Sequence, residues 1–94
     1  MENLIPAQEV TKESIPQLSF SNARIKNQDP RIKRELDIAM RGGNANHIKY
    51  SIEFTSNTGT KTVNTTVWAV GEKYVCLKGG VWIPIANISN IRTL

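Results

Sequence analysis

The stretch "VGEKYVCLKGGVWIPIANISNI", from Val70 to Ile91, holds two short apolar runs set between glycine turns and ends in a tail flanked by Asn and Ser. "KYVCLK" and "VWIPI" read as strands of β-branched and aromatic residues, with Gly71 opening a tight turn before the first and Gly79-Gly80 turning between the two. Pro84 has no N–H to give a sheet ladder, so it marks an edge position or the end of its strand. "ANIS" fits a single helical turn and "NIRTL" a short last strand.

Working outward, "HIKYSIEF" alternates, with Ile48, Tyr50, Ile52 and Phe54 on one face and His47, Lys49, Ser51 and Glu53 on the other. That period of two describes a half-buried strand. "TSNTGT" is a turn. In the β-branched run "KTVNTTVWAV", Val63, Thr65, Val67 and Ala69 share one side, and Thr62, Asn64, Thr66 and Trp68 the other. Before the strands lies a helix: Asp29 is a capping residue, Pro30 suits the first helical position, and Gly42-Gly43 supply a stop. Ile32, Leu36, Ala39 and Met40 form its apolar stripe. The first 28 residues lack periodicity and contain two Ile-Pro pairs, so they read as a flexible or extended arm. Its Ile15, Leu18 and Phe20 are candidates for docking on the domain or on a partner. The chain thus divides into an arm, 1–28, and a helix with β-structure, 29–94.

Five short strands with tight glycine turns, and a one-turn break before the last, are too few for an ordinary two-sheet sandwich. The expectation is a mainly β fold: a small five-stranded antiparallel barrel with one N-terminal helix, closed so that no sheet edge is exposed. The pattern "VxAVGxxYVxLKGG…IPIxxIxxI", after a helix, resembles the Sm-like (SH3-type) small barrels, which include the bacterial Hfq-type RNA chaperones. The resemblance covers roughly residues 30–94 and implies that barrel fold and an RNA-binding role. The family's basic Lys-His pair is absent: Ile85-Ala86 stand at the matching place, followed by Asn87-Ile88-Ser89, and the Arg-Gly element of eukaryotic and archaeal members is absent too.

Composition narrows the function classes. Ninety-four residues make one domain with a modest core. The first ten residues have no basic n-region or apolar h-region, and no apolar run approaches the roughly 20 residues that span a bilayer. Cys76 is the single cysteine, which suits a reducing cytoplasm better than a disulfide scaffold. The net charge of +4 is uneven: residues 24–49 carry seven basic side chains against three acidic ones.

The basic cluster Arg24, Lys26, Arg31, Lys33 and Arg34, beside a helix N-terminus, is the candidate nucleic-acid site, because each neutralised phosphate adds affinity through counterion release. Against it stands a plain solvated helix face, its charge partly offset by Glu35 and Asp37. Trp68, Tyr74 and Trp82 lie opposite the faces of Val67, Val75 and Ile83, as a stacking or interaction surface. The competing expectation is that helix and arm cover this face and make the tryptophans a second layer of core. His47 and Cys76 have no companion ligands with metal-site spacing, the acidic residues form no close pair, and "KGG" lacks the phosphate-loop framework. The expectation is therefore a non-enzymatic binding module without cofactor or metal and without a membrane segment. Its partner is single-stranded RNA, held by the basic helix flank and the aromatics. The alternative is a protein-interaction or self-assembly module using the apolar arm with Trp68 and Trp82, the partner being another protein or a second copy.

Overall fold

The computed structural model describes residues 8–20, 25 and 28–94. In chain order its elements are strand β1 (Gln8–Glu9), a 3-10 helix (Lys12–Gln17), helix α1 (Arg31–Asn46), β2 (Tyr50–Ser56), β3 (Gly59–Thr65), β4 (Val67–Val70), β5 (Tyr74–Leu77), β6 (Val81–Pro84), a 3-10 turn (Ile85–Asn87) and β7 (Ile88–Thr93). The strands form two sheets, one ordered β1-β3-β2-β7 and the other β4-β5-β6.

The mainly β character holds, but the five-stranded closed barrel does not. Seven strands lie in two separate sheets, and no ladder joins β6 to β7. Two local features prevent closure. Thr66 interrupts the run between β3 and β4, so one apparent strand becomes two in different sheets. At the other end β6 stops at Pro84, the chain makes the Ile85–Asn87 turn, and β7 then pairs with β2, Ile52 facing Ile91. The antiparallel rule is also broken, because β1 runs parallel to β3 with Gln8 opposite Lys61.

Two elements close the gap that the sheets leave. Helix α1 packs on β4 and β7, one from each sheet, and the Lys12–Gln17 helix packs on β6 and β3, again one from each. Ile15 is the anchor of the second clamp, at 1% exposure, and joins Leu36, Ile52, Phe54, Val67, Leu77 and Ile83 in one apolar cluster. Each such side chain contributes roughly 1.5–3 kcal/mol by leaving water. Phe20 lies against Phe54 with ring centroids 5.9 Å apart.

Helix α1 runs through the expected stop at Gly42-Gly43 and ends at Asn46, capped by His47 in the left-handed region at φ 56°. The reason lies in packing. A Cβ on Gly43 would come within 2.6 Å of both Thr66 Cγ2 and the Val67 carbonyl oxygen. The glycine is there to let the helix backbone approach β4, and tertiary contact overrides its poor helix propensity. At the other end the Asp29 carboxylate accepts the Arg31 backbone N–H at 2.9 Å, as a capping group should.

Candidate functional site

The most exposed aromatic surface belongs to the outer face of the β4-β5-β6 sheet. On β5 the alternation buries Val75 and Leu77 against the core and turns Tyr74 and Cys76 outward. Across the ladder Cys76 faces Trp82, and Tyr74 faces Pro84, so these four residues share the outer side. On β4 the register shifts between Val67 and Ala69, which leaves Trp68 as the extra residue of a bulge. Trp68 and Ala69 are both exposed as a result, where strict alternation would have buried Ala69.

The tryptophans are not a covered second layer of core. Trp68 is 47% exposed, Tyr74 50% and Trp82 53%, and these are three of the five exposed large apolar side chains among the described residues. Helix α1 packs on this sheet at β4, where Asn44 Nδ2 donates to the Trp68 carbonyl at 3.4 Å. Exposed Lys73 and Lys78 bracket β5, five residues apart and so about 17 Å along an extended strand. Cys76 lies beneath the aromatics at 8% exposure, and burial pushes its thiol up, away from the thiolate a nucleophile needs.

The face continues into a groove of about 580 Å³, with Phe20, Gln28, Lys73, Tyr74, Trp82 and Asn87 in its lining. Two of its polar side chains are tied down. Gln28 Nε2 donates to the carbonyls of Ile85 at 2.6 Å and Ile88 at 2.8 Å. Asn87, at 1% exposure, donates from Nδ2 to the carbonyls of Phe20 at 3.3 Å and Thr55 at 3.0 Å.

The basic cluster is placed less favourably. Arg24 and Lys26 lie outside the described residues. Arg31 grips Asp29, with Nη2 2.9 Å from Oδ2, and the guanidinium holds the Asp29 carboxyl below its usual range while its own pKa rises. Lys33 and Arg34 are exposed on α1. None of Arg31, Lys33 and Arg34 lines the groove, and Arg34 stands about 15 Å along the helix axis from the Asn44 contact with Trp68. Among the described residues, the exposed cations that flank the aromatic strand β5 are Lys73 and Lys78, and Lys73 shares the groove lining with Tyr74 and Trp82.

The sequence reading passed over those two lysines, although their place on either side of the strand that carries Tyr74 was a signal for them. Gln28 and Asn87 carried no such signal, because their part depends on which distant carbonyls hold their amides. Among the described residues no group of three or more His, Cys, Asp or Glu side chains could hold a metal ion, and no helix is long and apolar enough to cross a membrane. Comparison with protein-family models, with curated proteins and with solved structures finds no match, so nothing in these comparisons identifies an Sm-like fold.

Proposed function

We propose that the protein is a non-enzymatic binding module that holds single-stranded RNA against the outer face of the β4-β5-β6 sheet. The observation that carries this reading is Tyr74 and Trp82, each about half exposed, on the outer face of β5-β6, with half-exposed Trp68 at the β4 bulge of the same sheet and Lys73 and Lys78 at the two ends of β5. Every base has a π-face, and stacking on an aromatic side chain contributes about 1–3 kcal/mol per base. The lysines supply the phosphate contacts that a row of aromatics lacks. The helix cations Lys33 and Arg34 add to the long-range field that draws a polyanion in, rather than to the contact itself.

A stable protein interface fits this face less well. Half-exposed aromatics of roughly 150–250 Å² each offer about 300 Å² in all, against the roughly 800 Å² per partner of a standard interface. The arm is also engaged within the domain, since Ile15 is buried in the core.

The test is a titration of tryptophan emission with a mixed-sequence single-stranded RNA at low and at physiological salt. Binding should shift the emission and weaken with salt, with a log–log slope of about −1.4 for two phosphate contacts. Trp82→Ala should lower affinity by about tenfold, the loss of one stacking platform. No binding at low salt would rule the reading out.

A further inference from the structure

Among the described residues β7 pairs only with β2, so its other edge has no strand beside it. The Leu94 N–H donates to the Lys49 carbonyl at 3.3 Å, and bonded and non-bonded pairs alternate along an antiparallel ladder. Arg92 therefore bonds Ser51, while Ile91 and Thr93, opposite Ile52 and Tyr50, turn their backbone groups away from β2. The Ile91 N–H donates instead to Asn90 Oδ1 at 2.9 Å, which agrees with that phase. What the edge offers is the Ile91 carbonyl and both backbone groups of Thr93.

Beside this edge lies a groove of about 380 Å³, lined by Glu35 and Ile38 of α1, Tyr50 of β2, and Ile91, Arg92 and Thr93 of β7. Ile91 and Thr93 stand on the core side of the sheet, since Ile91 faces the fully buried Ile52. A strand laid along β7 would drop its inward side chains into the groove, under the flank of α1. Ile38 on that flank and Leu94 just after β7 are the two exposed large apolar side chains, among the described residues, that the aromatic face does not account for. We infer that the groove and the β7 edge together take an extended, acidic segment of a partner protein, added to the sheet as a further strand.

Charge chooses the partner. Exposed Arg34 and Arg41 lie four residues before Ile38 and three after it, and so neighbour it on α1, while exposed Arg92 stands in the lining itself. Glu35 is the one carboxylate in that lining. A second copy seated two-fold on this face would set the three arginines against their own kind. Nucleic acid fits no better, because Tyr50 is buried and the exposed wall, Ile38, gives a base no ring to stack on. An acidic strand meets both needs: its apolar side chains fill the groove and its carboxylates meet the arginines. The inference is independent of the RNA reading, since the aromatic sheet meets α1 on another flank, at Asn44.

The experiment follows the anisotropy of a fluorescein-labelled short peptide, valine alternating with glutamate, added to the full chain at low salt. The same peptide with lysine for glutamate should bind about tenfold less tightly. Of two versions N-methylated at alternate residues, one should fail and the other bind as the parent does, since only every second N–H faces β7. Ile38→Glu should abolish binding with the thermal melt unchanged, and Arg92→Glu should shrink the preference for the acidic peptide. No anisotropy change at about millimolar acidic peptide overturns the inference, as does equal binding of the two N-methylated versions. Displacement of the peptide by single-stranded RNA would assign the face to nucleic acid. A dimer in sedimentation that Ile38→Glu dissolves would assign it to a second copy. Either result overturns the inference as well.

Discussion

Gly43 shows how one residue can carry two opposite readings. In a helix interior glycine costs about 1 kcal/mol relative to alanine, so at the end of an apolar stripe it reads as a stop. Here the missing Cβ lets α1 approach the Val67 carbonyl, and the helix continues for three more residues. Gly43→Ala should therefore destabilise the protein by about 2 kcal/mol, overpacking outweighing propensity, and urea melts will measure it. A gain in stability would show that β4 gives way at that contact. His47 takes the helix terminus that glycine usually takes, at φ 56°, and nothing local in the sequence marks it for that position. Composition and spacing reveal that a glycine is needed nearby; only the facing strand tells whether conformation or space requires it.

At the scale of elements, the strands were legible and their membership in sheets was not. Alternation located β2, because a period of two survives wherever one face is buried, and glycine turns around short apolar runs located β5 and β6. It failed across Thr66 and at the Trp68 bulge, where the chain changes sheet and register without changing its residue types. The aromatic face was visible from alternation on β5 and β6, whereas its exposure depended on where α1 lay. The arm had no periodicity to read, yet its 3-10 helix inserts Ile15 among core side chains that come from both sheets. Ile15→Ala should lower stability by about 2–5 kcal/mol, as for other fully buried isoleucines, which thermal unfolding will report. A change below about 0.5 kcal/mol, the usual range for surface positions, would mean that the clamp is not part of the cooperative unit.

For the whole molecule, β6 pairs only with β5 among the described residues, and its other edge is a liability that Pro84 limits. The Ile85 N–H donates to the Lys73 carbonyl at 2.8 Å, which puts Ile83 and Val81 in register to bond β5. By alternation Trp82 and Pro84 then turn their backbone groups to the free edge, where Pro84 has no N–H to offer. Pro84→Val should restore a donor there and promote self-association. Sedimentation velocity at rising concentration should show it as a larger species absent from the native chain. An unchanged sedimentation profile would show that the Trp82 side chain alone shields the edge.

The two clamps also govern how the molecule comes to exist. The contacts that finish it join the ends of the chain: Gln28 to Ile88 across 60 positions, Asn87 to Phe20 across 67, and Lys61 to Gln8 across 53. Such long closures place folding in the slow, milliseconds-to-seconds regime of non-local topologies. During synthesis β2 waits with one edge bare until β7 leaves the ribosome, since β7 comes later in the chain and covers that edge. The Lys12–Gln17 helix reaches its seat against β6 only after β6 has followed it out. Until then Ile15 is bare apolar surface, so the nascent domain is most aggregation-prone before β6 and β7 have been made.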